Sequence, residues 1–332
     1  MKKSAVLILL ALGSIIVLAG APVIGMKRIA LDTILHPSAL DMDSSIFWKM
    51  RVPRVLTSFL AGSALAISGM AFQALFRNPL ATPFTLGVSS GAAFGAALSI
   101  LTGFTFTFFG ISGMSIGSLA GALISILAVY GFTRMRKGFS TATMLLAGVA
   151  ISFFFSSLIL FLQYLSDFTQ SFRIVRWLMG GIEAVGYDSI LGVLPFILAG
   201  GAIVFALTHE LNLFSAGEDI ATSRGVEVGK MKTVLFFAVS LMIGGVVSVC
   251  GPIGFVGMMS PHISRILVGA NHRYLAPATF LFGGLFLTLC DTLARIVIAP
   301  AEIPVGIVTA LLGGPFFIWL LLSGSSEKSM LR

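Results

Sequence analysis

The pentapeptide Gly87-Val88-Ser89-Ser90-Gly91 has the G-x-S-x-G spacing of a hydrolase nucleophile. That chemistry needs the serine on a strand-to-helix turn, with a histidine and an acid beside it. Here the pattern follows Pro83 and opens an apolar run, and the chain has only 4 histidines, His36, His209, His262 and His272. A turn or packing role suits that context better. No G-x-x-x-x-G-K-[ST] occurs, so the chain offers no P-loop to ATP, and no H-E-x-x-H occurs to hold a catalytic zinc. The 2 cysteines, Cys250 and Cys290, lie in apolar stretches without metal-ligand spacing and read as small buried hydrophobes. What remains is charge in apolar surroundings. Asp291 and Arg295 share a helix face and suit an i,i+4 ion pair. Glu302 sits in the turn 299–304, and Asp167 stands at the end of an apolar run. No run carries a central Asp, Glu or Lys, the groups that proton- and sodium-driven carriers place at mid-depth. The chain is therefore expected to perform no covalent chemistry, to bind no cofactor or metal, and to draw its energy from elsewhere.

The elements that hold these residues are membrane spans. Of 332 residues, 57% are hydrophobic and 10% charged, against about 25% charged in an average soluble domain. This excludes a soluble globular enzyme, a disordered chain and a nucleic-acid-binding domain. The net charge of +8 reads as basic loops held on the cytoplasmic side. Stretches free of Asp, Glu, Lys and Arg give ten spans: 4–26, 55–76, 84–102, 112–133, 141–165, 189–209, 233–250, 254–270, 275–298 and 305–323. The long run 78–133 must fold back, most simply in 102–113. The run 233–264 must break at Cys250–Gly254, where Pro and Gly interrupt a helix. The expected fold is an all-α polytopic membrane protein, one transmembrane domain over 1–332. Placing both termini inside puts 13 of the 21 Lys and Arg on that side and 8 on the other. Five of the eight fall in the loop 27–54. Lys2, Lys3 and the Ala19-Gly20-Ala21 site imitate a secretory signal, but the apolar run is longer than a signal core and nine spans follow, so retention is expected. Small-xxx-small pairs, Gly91/Gly95, Gly113/Gly117 and Gly117/Gly121, suit close helix packing in lipid.

The loop 210–232 is the most informative polar segment. Ser215 is placed to cap a short helix with Glu218 and Asp219 in its first turn, and Gly225 to end it. Ile220, Ala221 and Val226 give it an apolar side. The pattern fits either a docking element for a cytoplasmic partner or a solvated connector.

Nine segments then occur in order: Arg51-Val52-Pro53-Arg54, Ala64–Gly69, Arg77–Ala81, Leu86–Gly91, Leu145–Gly148, Trp177–Gly180, Gly251–Gly257, Pro261-His262 and Ala301–Gly306. Together they resemble the FecCD/BtuC-type permease family of ABC importers for iron–siderophore, haem and cobalamin, over about 45–323. The resemblance implies a type II importer in the bacterial inner membrane. Two permease chains, identical or paralogous, would form its path, with a cytoplasmic ATPase dimer carrying ATP and Mg²⁺ and a substrate-binding protein outside. It implies that the coupling loop, about 213–230, meets the ATPase through Ser215, Gly217, Glu218, Ala221 and Gly225. Arg224 departs from the leucine common before the last glycine. Arg51, Arg54 and Arg295 match positions that offer positive charge to acidic residues of the binding protein, as the planar guanidinium suits carboxylates; without the resemblance, snorkelling beside headgroups explains Arg51 and Arg54 as well. Asn78, Leu80, Ser140 and Thr141 resemble positions that narrow the path at its cytoplasmic end, though Asn78-Pro79 also fits a plain turn. Ferric siderophores are the first expected cargo, haem and cobalamin next. A secondary transporter driven by an ion gradient is the main rival, and a hydrolase using Ser89 the second.

Overall fold

The computed structural model describes residues 2–36, 41–104, 106–108, 111–135, 141–183 and 186–322. The apolar runs are helical because a membrane span must satisfy its backbone polar groups internally. In chain order, α1 (Lys3–Gly20) is followed by two short helices, α2 (Leu31–Leu35) and α3 (Met42–Ile46). One π-helical turn at Phe47–Arg51 then leads into α4 (Val52–Phe76). Next come α5 (Val88–Leu101), α6 (Gly113–Met135), α7 (Thr141–Leu165), α8 (Phe168–Leu178) and α9 (Asp188–Ala206). The chain continues through α10 (Thr208–Ala216), α11 (Glu218–Ser223), α12 (Val228–Cys250), α13 (Val256–Val268), α14 (His272–Ile296) and α15 (Val305–Leu322). Between α5 and α6, Thr107 pairs with Ser112 and Phe108 with Ile111 in a two-residue antiparallel ladder, the fold-back expected in 102–113.

Among the described residues, seven helical segments are long and apolar enough to cross a membrane: α1, Met42–Phe76, α6, α7, α9, α12 and α14. The other three expected spans are the shorter α5, α13 and α15. At 1.5 Å per residue, the 14 residues of α5 cover about 21 Å, less than the roughly 30 Å hydrocarbon core. Non-helical backbone makes up the difference, through the 3-10 turn Pro83–Leu86 before α5 and the segment 251–255 before α13. Such backbone is tolerated at depth only inside protein, and Leu86 and Ile253 are fully buried. The expected break falls at Gly251, whose φ of +66° ends α12.

α4 is the axis of the bundle, packed against α9, α12, α13 and α14. Its glycines let neighbours approach to backbone contact. A Cβ on Gly69 would stand 1.7 Å from the Gly257 carbonyl oxygen, and one on Gly62 2.3 Å from that of Gly283. α5 and α6 meet the same way through Gly95 and Gly117, as close packing by small residues in lipid requires. α1 runs parallel to α14: Lys3 lies over the Tyr274 ring, and Ala21 meets Arg295. The two ends of the bundle are therefore distinct, one marked by Arg54 and the other by α11.

Two segments differ from expectation. The loop 27–54 is helical from Met42 onward, because Asp41 caps α3 by accepting from the Asp43 amide and the arginines that follow find internal partners. The connection 166–188 contains α8, an amphipathic helix opened by a capping box between Asp167 and Gln170.

Candidate functional site

At the Arg54 end, charge is gathered rather than scattered. The Asp291 carboxylate has no exposed surface. Arg54 donates to it from Nε at 3.1 and 3.2 Å and from Nη2 at 3.0 Å, while Arg54 Nη1 donates to Glu302 at 2.6 Å. Arg295 Nε lies 3.2 Å from the same Asp291, which makes the expected i,i+4 pair. Two guanidiniums and two carboxylates leave this cluster neutral. The remaining Arg295 donors reach the carbonyls of Ala21 and Ile24, each at 3.4 Å. Arg51 donates to the carbonyls of Pro22, Val23 and Lys27. Both cations thus sit at the negative C-terminal end of α1, where its dipole favours them. Lys27 pairs with Asp43. Of the five basic residues in 27–54, Lys27, Arg51 and Arg54 therefore have internal partners, while Arg28 and Lys49 are exposed. Of the three arginines expected to meet the binding protein, Arg51 and Arg295 are buried, and Arg54 keeps a 17% opening.

That opening faces a cleft of about 420 Å³ lined by Arg54, Arg173, Trp177, Glu183, Cys250 and Glu302 among others. Its floor is a junction of three segments that the sequence singled out. Gly181 donates to the Cys250 carbonyl at 2.9 Å, and Gly306 to the Gly180 carbonyl at 3.1 Å. Gly180 has φ of +70°, and a Cβ there would meet the Pro252 oxygen at 2.2 Å. Only glycine fits.

At the opposite end, α11 is a six-residue helix between Gly217 and Gly225, whose φ values are +146° and +83°. Glu218 and Asp219 stand in its first turn as expected, and Gly225 ends it. Ser215 is not its cap. That serine lies in α10 and donates to the Leu211 carbonyl at 2.8 Å, because the chain turns at Gly217 and starts a new helix after it. The apolar side is Ala221 and Val226, packed with Phe214 and Met231; Ile220 is exposed. Arg224 is exposed too, so its departure from leucine does not disturb the packed face. Glu218 grips Lys232 of α12 with both oxygens, at 2.7 and 2.8 Å. Lys232 escaped the sequence reading because a lysine near a helix start looks like one more loop cation.

Of the expected gate residues, Asn78 forms a turn, its side chain accepting from the Leu80 amide at 2.9 Å after Arg77 ends α4 in the left-handed region. Leu80 is exposed, and Thr141 opens α7. Ser140 lies outside the described residues. Ser89 is buried in the first turn of α5, without the strand that a nucleophile elbow requires. Among the described residues, no group of three or more His, Cys, Asp or Glu could hold a metal ion.

The sequence model of the FecCD transport family matches residues 6–323. The hemin transport system permease protein HmuU of Yersinia pestis is 37% identical over 321 residues, 95% of this chain and 94% of that protein. The vitamin B12 import system permease protein BtuC of Salmonella paratyphi A is 38% identical over 281 residues, 84% of each. A solved metal-chelate type ABC transporter in an inward-facing conformation superposes with a TM-score of 0.85 at 33% identity, covering 96% of this chain and 99% of that one. These relatives are translocation subunits rather than enzymes.

Proposed function

The chain belongs to the FecCD transport family and is the permease subunit of an ABC importer, a multi-pass protein of the inner membrane; we propose that its cargo is a bulky metal chelate. Family membership implies an ATPase and a substrate-binding partner. The cargo reading rests on the relatives, which are named for hemin and vitamin B12, and on the solved metal-chelate transporter. Ferric siderophores, the first expectation from sequence, belong to the same class of large chelates, so all three enter the test.

The importer acts as follows. The Arg54 end faces outward and the α11 end inward, with both termini inside, as the lysine and arginine bias favours. The loaded binding protein meets the outer end at the rim formed by Arg54 and Glu302, while Arg51 and Arg295 brace the backbone beneath. The path lies between two permease chains, against α7 and α15. Neither helix carries a charged residue, and Phe153, Phe161, Leu311 and Trp319 stand exposed on them. Such a wall lets a large chelate pass without holding it. Asn78, Leu80 and Thr141 narrow the inner mouth. ATP and Mg²⁺ bind to the partner, and the ATPase acts on this chain through α11.

The test is uptake into liposomes containing the permease, its ATPase and its binding protein, with ferric siderophore, haemin or cobalamin as cargo. ATP-dependent uptake of one of them supports the reading. Uptake that persists without any ATPase overturns it.

A further inference from the structure

Lys232 is a cation with its side chain only 5% exposed, although it stands in the first turns of α12, where a lysine could reach water. A buried charge is tolerated when it is paired and hydrogen-bonded. Lys232 Nζ meets both Glu218 oxygens and lies 5.4 Å from the centre of the Phe214 ring. One residue from α10 and one from α11 therefore converge on the single ammonium group that α12 supplies. The cluster of Phe214, Ala221 and Met231 beside it is separate from the main core.

A six-residue helix has little stability of its own. With glycines in unusual backbone conformations at both ends, α11 could swing without moving anything else. What prevents this is Ala221 in its small apolar pocket and the pair between Glu218 and Lys232. We infer that Lys232 is a positioning residue that locks α11 to α12, so that force applied to α11 enters the bundle instead of being absorbed at Gly217 and Gly225. α12 is suited to receive it, since it packs on α4, α5, α6 and α9. This rests on the importer reading for what pushes α11; the lock itself does not.

The experiment uses Lys232→Met in the full chain, alone and assembled with ATPase and binding protein. Amide exchange should quicken over 218–226 and stay unchanged in the middle of α4. In the complex, ATP hydrolysis should continue while cargo moved per ATP falls about tenfold, within the 5- to 150-fold range of typical coupling between sites. Lys232→Arg, which keeps the charge, should behave as wild type in both exchange and cargo moved per ATP. Should Lys232→Met fail to assemble, Lys232→Gln decides: unchanged exchange over 218–226 overturns the inference. Unchanged exchange over 218–226 overturns the lock, whatever the complex does. Faster exchange with undiminished transport per ATP overturns the positioning role. If the wild-type complex moves no cargo with its ATPase, the importer reading falls, and the exchange measurement still decides whether α11 is locked.

Discussion

Asp291→Asn removes one charge and almost no volume, so its effect isolates electrostatics. The carboxylate is fully buried and takes three contacts from Arg54, at 3.0 to 3.2 Å, and one from Arg295 at 3.2 Å. Removing one partner of a buried ion pair costs about 3–5 kcal/mol, because the other charge stays behind uncompensated. Two cations are left here, but unequally. Arg54 retains Glu302 and its opening to the cleft, while Arg295, with its side chain 6% exposed, retains only carbonyls and Thr292. The expected loss is therefore at the low end, about 3 kcal/mol. The Arg176–Glu183 pair supplies the contrast. Its side chains are 60% and 74% exposed, so Glu183→Gln should cost less than about 1 kcal/mol. Reversible unfolding in mixed detergent micelles reads both values. A double-mutant cycle with Arg54→Met should give a coupling above about 0.5 kcal/mol. Equal losses for Asp291→Asn and Glu183→Gln would refute the claim that this carboxylate holds the Arg54 end together.

Gly69→Ala should destabilise by about 1–3 kcal/mol, because the added carbon meets the Gly257 backbone. Gly131→Ala has open space around it and should be neutral, or stabilising by up to about 1 kcal/mol through helix propensity; the same unfolding assay compares the two. Ser89→Ala should leave cargo uptake into liposomes unchanged, and a lost uptake would reopen the hydrolase reading. Ala221→Leu overfills the pocket shared with Phe214 and Met231, at about 1–3 kcal/mol, and should reduce co-purification of the ATPase.

The bundle was largely legible because lipid imposes a simple rule: a run without charge becomes a helix, and a run too long for one span must break. The breaks after Leu101 and Cys250 lie where glycine, threonine or proline permits them. α8 was hidden because its 11 residues are too few and too polar for a span, and only the Asp167–Gln170 spacing marked it. The charge cluster was hidden for another reason. Arg54 and Asp291 are 237 residues apart, so nothing local pairs them, whereas Asp291 and Arg295 share one helix and could be read directly. Ser215 misled because it stands at the spacing of a cap, and the turn at Gly217, which moves it into the preceding helix, leaves no periodic trace. Lys232 shows the same limit, since its burial follows from tertiary packing alone.

The floor of the cleft, where Gly180, Gly251 and Gly306 press main chain against main chain, has a bearing on how such a protein can diversify. A frame fixed by peptide groups does not depend on the identity of the side chains around it. Exposed residues lining the cleft, such as Arg173, Glu183 and Asp188, are free to vary in polarity without loosening the frame. A library randomised at those three positions, with the glycines held constant, should then change the chemistry of the cleft while keeping the fold. One that spares the rim and mutates the glycines would return mostly unfolded chains.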